Sequence, residues 1–120
     1  MSVTLSPASP QKLHAAATSG NGGILVLHGQ CQNVTIDFES AGTTSGGTLV
    51  IEEAYYDPNG PVSAATWSQL GSDVAASGFS GTAKQTVHIV GYSIWALRVR
   101  ISSAITGGGT VTVTAWGSGS

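Results

Sequence analysis

Apolar and polar side chains alternate with a period of two along most of the chain after residue 23. In the stretch 32–40, Val34, Ile36 and Phe38 fall on one face, while hydroxyl and acidic side chains fall on the other. This pattern is typical of a half-buried β-strand, because successive strand residues point to opposite faces of a sheet. Similar runs predict further strands over residues 24–28, 48–56, 66–70, 83–90, 93–102 and 110–116.

Glycine-rich and small polar segments separate these runs and predict turns or loops. The segments 41–47, 57–61 and 71–81 are of this kind, and a hairpin turn at 107–109 is expected to join the last two strands. No stretch of eleven residues shows the helical period. The sequence therefore predicts an all-β protein, an antiparallel β-sandwich of jelly-roll or Ig-like type with about seven or eight strands.

The first 22 residues differ from the rest and predict an extended N-terminal arm. They include Pro7 and Pro10, which favour extended backbone, and they contain no aromatic residue. Three apolar side chains of the arm have no evident place in the sandwich: Val3, Leu5 and Leu13. The chain is therefore predicted to consist of an arm over 1–22, a sandwich domain over 23–116 and a flexible tail over 117–120.

Charged residues are scarce, at 8% of the chain against about 25% in an ordinary soluble domain. Four basic and six acidic residues give a net charge of −2, which argues against binding to nucleic acid or to a membrane surface. Cys31 is the single cysteine, so no internal disulfide can form. Because few charges are available to protect the sheet edges, we expect the protein to cover them by forming a homo-oligomer.

No combination of residues has the spacing of a catalytic or metal site. His14, His28 and His88 lack a second ligand-type residue at a metal-binding spacing. Serine occurs throughout, but no nucleophile-elbow motif links a strand to a helix. We therefore expect neither enzymatic activity nor a bound metal or cofactor.

Arg98 and Arg100 lie two residues apart and share the outward face of one predicted strand. Glu52 and Glu53 are adjacent, so in a strand they point to opposite faces and do not form a ready catalytic pair. Two interpretations of the arginines remain open at this point. They pair with glutamate across neighbouring strands, or they form contacts between subunits, where arginine is common.

Five aromatic side chains are candidates for a platform that stacks on sugar rings: Tyr55, Tyr56, Trp67, Trp95 and Trp116. The alternative is that they pack in the core or in an interface. Trp95 has the inward parity of Leu97 and Val99, so we expect it in the core. Trp67 is also expected to be packed against the protein.

Four segments of the second half carry a resemblance to a known group of proteins. They are residues 47–52 (GTLVIE), 66–70 (TWSQL), 95–104 (WALRVRISSA) and 108–114 (GGTVTVT). The region that contains them, about residues 46–116, resembles the small β-sandwich proteins encoded among the structural genes of tailed bacteriophages. These proteins recur as head decoration (cement) proteins and as modules of tail or fibre proteins.

The resemblance implies a viral structural protein on the outer surface of the virion capsid, made in the host cytoplasm. Its expected partners are the major capsid protein and further copies of itself, with a trimer favoured over a dimer. The residues expected to bind the capsid are those of the arm: Val3, Leu5, Pro7, Pro10 and Leu13. Two alternatives remain, a carbohydrate- or receptor-binding module of a phage tail or fibre protein, and a head–tail joining or tail-tube protein.

Overall fold

The computed structural model describes residues 10–27, 31–55, 66–81, 84–92 and 94–118. Within these residues, nearly all regular structure is β-strand. The strands are β1 (Gln11–Ala17), β2 (Leu25–Val26), β3 (Asn33–Ala41), β4 (Gly46–Ala54), β5 (Ser68–Gln69), β6 (Val74–Ala75), β7 (Lys84–Val90), β8 (Ala96–Thr106) and β9 (Thr110–Ser118). A short 3₁₀ helix spans Ala76–Phe79. The described part of the chain has no helix with the length and apolar character needed to span a membrane.

The strands form two antiparallel sheets that pack face to face. The first sheet has the order β1-β9-β3-β7, and the second has the order β2-β8-β4-β5, with β6 also paired to β4. The prediction of an all-β antiparallel sandwich is confirmed. The described residues contain nine strands rather than seven or eight, because β1 and β6 form within the segments predicted as an arm and as a loop.

The core lies between the sheets and follows the predicted alternation. Val34, Ile36 and Phe38 of β3 are at most 1% exposed, and they face the apolar residues of β4 and β8. The Phe38 ring packs against Phe79 of the 3₁₀ helix, with 5.6 Å between ring centroids. The other strands contribute buried residues at every second position: Leu49, Ile51, Leu97, Val99, Ile101, Val111, Val113 and Ala115.

The predicted arm is wrong for the part that the structure describes. Residues 11–17 form β1, which pairs with β9 at the edge of the first sheet. The ladder shifts register between Lys12 and His14 and again before Ala17, and such bulges disturb the strand alternation. Leu13 and His14 are both buried as a result, and Leu13 belongs to the core cluster.

Three further boundaries differ from the sequence-based predictions. Glycines 107–109 do not form a hairpin, because β8 lies in the second sheet and β9 in the first, so the chain crosses between sheets there. Gly107 and Gly108 take φ angles of 107° and 94°, which suit glycine. The predicted loop 71–81 contains β6 and the 3₁₀ helix, and β9 continues through residues 117–118 of the predicted tail.

Candidate interaction surfaces

The outer face of the second sheet carries a row of side chains from β4 and β8. Because Leu49 and Ile51 point into the core, their neighbours on β4 point outward. The register places Glu52 opposite Arg98 and Val50 opposite Arg100. Glu52 and Val50 are nevertheless only 7% and 4% exposed, so this face is well shielded from solvent along its centre.

Glu52 accepts hydrogen bonds from both arginines. Arg98 donates from Nε to Oε1 at 2.8 Å, and Arg100 donates from Nε to Oε2 at 3.3 Å. The Glu52 and Arg98 side chains are 9% and 17% exposed, whereas Arg100 is 36% exposed. Of the two interpretations of the arginines, the cross-strand pairing with glutamate is therefore confirmed, and a role between subunits stays a prediction.

Arg98 also stacks on an aromatic ring. Its guanidinium carbon lies 4.4 Å from the centroid of Trp67, which directly precedes β5. A guanidinium in this position is attracted by the negative face of the ring. Trp67 is half-buried, as expected for a packed side chain. The Arg98 guanidinium therefore contacts both the Trp67 ring and the Glu52 carboxylate.

A second aromatic pair lies at the end of β4. The rings of Tyr55 and Trp95 meet edge to face, with 5.0 Å between their centroids. Tyr55 is 65% exposed. Trp95 is half-buried beside it, so the prediction that Trp95 belongs to the core is wrong: it precedes β8 and lies outside the strand whose parity it was expected to share.

The predicted aromatic platform is therefore assembled only in part. Tyr55, Trp67 and Trp95 all lie at strand ends of the second sheet, whereas Trp116 is on β9 of the first sheet. Tyr56 lies outside the described residues. Among the described candidates, Tyr55 is the exposed ring, and it lies beside half-buried Trp95.

The candidate arm residues are divided by the structure. Val3, Leu5 and Pro7 lie outside the described residues. Pro10 is exposed and directly precedes β1. Leu13 is 4% exposed in the core, so its side chain is not available for a partner.

The histidines are not brought together. His14 is buried, and its Nε2 lies 2.6 Å from the carbonyl oxygen of Val99. His88 is exposed on β7, with Nδ1 3.2 Å from the Thr35 hydroxyl. His28 lies outside the described residues. Among the residues that the structure places, no group of three His, Cys, Asp or Glu side chains is arranged to hold a metal ion.

A second surface, which the sequence did not predict, lies where β7 forms the edge of the first sheet. A groove of about 400 Å³ opens between β7 and the edge of the second sheet. Its apolar lining includes Ile51, Leu70, Val74, Val87 and Ile89. Two large side chains at its rim are exposed, Val90 by 70% and Tyr92 by 56%.

Three charged side chains near this edge, Lys84, Asp37 and Glu39, lie over the outer face of the first sheet. Lys84 Nζ is 3.1 Å from Asp37 Oδ2 and 3.6 Å from Glu39 Oε1, and both acids are on β3. The hydrogen bond to Asp37 and the charges of the two acids raise the pKa of Lys84 above its ordinary value. Next to Asp37, Thr86 donates its hydroxyl to Oδ1 of the same carboxylate at 2.8 Å.

Cys31 is buried near the C-terminal end of β9. It is 5% exposed, and its Sγ lies 2.8 Å from the position that a Cβ on Gly117 would occupy. Burial raises the pKa of the Cys31 thiol, because the thiolate would lose its hydration. The arrangement is that of a packed thiol rather than a reactive one.

Comparison with known proteins shows a similarity of fold but not of sequence family. No protein-family model matches the chain, and no curated protein matches it in sequence. Among solved structures, the chain is similar to the SPBc2 prophage-derived protein YomS, with a TM-score of 0.57 and 18% sequence identity. The similarity covers 96% of this chain and 96% of YomS, so the two share the sandwich from one end to the other.

Proposed function

We propose that the chain is a non-enzymatic structural protein of a bacteriophage particle, which binds the major capsid protein and decorates the outer surface of the head. The observation that carries this proposal is the shared fold with a prophage-derived protein over 96% of both chains. The resemblance of residues 46–116 to small β-sandwich structural proteins of tailed phages, which include head decoration proteins, also supports it. The virion is then the site of action, and the host cytoplasm is the site of synthesis.

The attachment to the shell is proposed to use the residues before β1. Since Leu13 is in the core and β1 is paired to β9, the segment proposed to bind the capsid is shorter than the sequence indicated. Val3, Leu5 and Pro7 remain as its candidate contacts, with exposed Pro10 at the junction. Such apolar contacts suit a chain with a net charge of only −2, and binding should depend weakly on salt.

The direct test adds the purified protein to undecorated, expanded heads of the phage that encodes it. The number of bound copies and the temperature of DNA release are measured for the full chain, for a chain without residues 2–9, and for Val3→Ser/Leu5→Ser. The truncation leaves β1 intact, so loss of binding would not reflect a damaged sandwich. We expect saturable binding and stabilisation by the full chain and loss of both in the two variants. Failure of the full chain to bind heads overturns the proposal, and unchanged binding by both variants overturns attachment by this segment.

One observation favours a second function, a carbohydrate- or receptor-binding module of a tail or fibre. Tyr55 presents 65% of its surface beside Trp95, and exposed rings of this kind stack on sugars. Glycan-array binding with quenching of tryptophan fluorescence would support this function. Tyr55→Ala should then abolish binding, and Tyr92→Ala, which removes a comparably exposed ring elsewhere, should not. Binding that survives Tyr55→Ala would exclude this platform.

A further inference from the structure

β7 is a long and regular free edge. It pairs with β3 over seven consecutive residues without a register shift, and no described strand pairs with its other side. The other edges are less suitable for pairing. β1 is interrupted by two register shifts, and β2, β5 and β6 have two residues each. Natural proteins usually block such an edge, because its unpaired backbone groups bind other strands.

The backbone groups that face outward from β7 can be assigned. Gly91 donates its N–H to the carbonyl of Gln32, so the odd-numbered residues of this segment bond toward β3. In an antiparallel ladder, bonding direction alternates along the strand. The N–H and C=O groups that point to the free side therefore belong to the even-numbered residues: Lys84, Thr86, His88 and Val90.

Charged side chains often prevent an edge strand from pairing with another chain, but they do not do so on β7. Lys84 is the single charged residue of β7, and it is held over the face of β3 by Asp37 and Glu39. At the other end of the strand, Val90 is 70% exposed. The side chains of Thr86 and His88 interact with β3 residues on the same outer face. β7 itself thus presents its outward backbone groups without a free charge of its own, and Asp73 in the groove beside it accepts a hydrogen bond from Gln69.

The groove beneath the edge adds an apolar surface. Leu70 and Val87 are only partly buried although they pack against the core. Both line the 400 Å³ groove together with Ile89. A strand added to β7 would place alternate side chains over this groove and remove its apolar lining from water.

We propose that two copies of this chain pair through β7, antiparallel and about a two-fold axis that passes beside Val87. In this register Lys84 lies opposite the partner's Val90, and Thr86 lies opposite the partner's His88. All four outward-facing residues then exchange backbone hydrogen bonds with the partner. Each four-stranded first sheet becomes half of a continuous sheet of eight strands.

A second copy is the occupant that this register favours, because the edge is complementary to itself. The two Lys84 side chains lie at opposite ends of the paired strands, so these two cations do not meet. Val87 meets the partner's Val87 on the inner face, where the two apolar grooves join. A two-fold contact in which the same patch serves both subunits is the commonest form of homo-oligomer. The pairing gives a dimer, the second choice of the sequence-based prediction, and it does not depend on the proposed role on the phage head.

The register is tested by cysteine cross-linking of the full-length chain. Residues that oppose each other as a non-hydrogen-bonded pair have Cα atoms about 4.5 Å apart, which is within disulfide range. Val87→Cys should therefore form a disulfide-linked dimer under mild oxidation. Gln85→Cys lies on the same inner face but opposite the partner's Ile89, about 13 Å from its own copy, and should remain monomeric on a non-reducing gel. Equal cross-linking of the two variants, or none with Val87→Cys, overturns the register.

The pairing is tested by mass and by charge placed at Val90. Light scattering across a concentration series should show a species of twice 12.0 kDa, about 24 kDa, for the unaltered chain. Val90→Lys sets a cation beside the partner's Lys84 at two places in the dimer, and should raise the dimer Kd about tenfold. Val90→Glu at the same exposed position should lower it or leave it unchanged. His88→Pro removes an outward N–H without breaking the ladder to β3 and should yield monomers.

A monomer at all concentrations, a trimer, or equal effects of Val90→Lys and Val90→Glu would each overturn the proposal. Circular dichroism checks that each variant is folded, and only variants that keep the strand signal are compared. Head binding is measured separately, so failure of the dimer and failure of the decoration role are distinguishable.

Discussion

The imidazole of His14, on the edge strand of one sheet, donates a hydrogen bond to the backbone carbonyl of Val99 in the other sheet, over a distance of 2.6 Å. The carbonyl oxygen can only accept, so Nε2 carries the proton in this contact. β2 pairs with β8 only at Leu97 and Ala96, and the Val99 carbonyl lies beyond that short pairing. His14 is 5% exposed and thus satisfies a backbone group that no neighbouring strand reaches.

His14→Ala should destabilise the sandwich by roughly 1–3 kcal/mol, because it leaves the buried carbonyl of Val99 without a donor. The free energy of unfolding from urea denaturation is the measurement. His88→Ala is the matched control, since His88 is exposed and its hydrogen bond to the hydroxyl of Thr35 lies on the surface. Its effect should stay within about 0.5 kcal/mol. Equal effects of the two substitutions would contradict the bridging role of His14.

Glu52→Gln should cost about 3 kcal/mol of folding stability. The substitution preserves the shape of the side chain, but Arg98 loses its counter-ion at a site where only 17% of its side chain is exposed. Breaking one partner of a buried pair costs about 3–5 kcal/mol, and the partial exposure of Arg100 places the expectation at the lower end. Glu39→Gln removes a carboxylate that is 55% exposed and should have little effect. A small effect of Glu52→Gln in denaturation would show that the arginines are already satisfied by solvent.

Lys84 should titrate above the ordinary lysine value of 10.5. The pKa of Lys84 is raised in the folded state, so the contribution of its ion pairs to stability is fully present below the ordinary value of 10.5. It is lost as the pH rises through the raised pKa. An NMR titration of the Lys84 side chain checks this, and Asp37→Asn should return the pKa toward 10.5 by more than Glu39→Gln does, since Asp37 is the main cause of the shift. The reverse order of the two variants would contradict the geometry.

Cys31 should react slowly with a thiol reagent in the folded protein. It is 5% exposed, and the raised pKa of its thiol keeps the reactive thiolate scarce near neutral pH. The rate of reaction with Ellman's reagent should rise sharply when urea unfolds the chain. A cysteine introduced in place of Tyr55, which is 65% exposed, provides the fast reference in the native state. Similar native rates for the two thiols would contradict the burial of Cys31.

The sandwich could be predicted because its central strands keep strict alternation. The alternation predicts that Val34, Ile36 and Phe38 face the core, and all three side chains are buried there. β1 could not be predicted, because Gln11–Ala17 holds small and polar residues with one large apolar side chain, and its ladder is broken by bulges. Ala16, with a φ of 50°, departs further from regular strand geometry. β1 forms because it pairs with β9, and neither the strand propensity of its residues nor their alternation indicates that pairing.

The interaction surfaces could be predicted only as alternatives. That Glu52 lies opposite Arg98 depends on the register between two strands 46 positions apart, which alternation alone does not set. The same limit applies to Gly107–Gly109 as a group: glycines mark a turn, but a hairpin and a crossing between sheets require the same backbone freedom. The free side of β7 was beyond sequence reasoning, because whether a strand is at an edge depends on the order of the whole sheet.

The place of β9 between β1 and β3 has a consequence for synthesis on the ribosome. β1 is made early, yet the strand it pairs with begins at Thr110. At about 5–20 residues per second, the 93 positions from Ala17 to Thr110 take roughly 5–20 seconds to translate. During that interval the core lacks Val111, Val113 and Ala115, Leu13 has no strand to hold it in place, and β3 lacks the neighbour that lies on its β1 side. Chains arrested before Thr110 should therefore be open to protease throughout their first half, and the domain should close only when its final strand arrives.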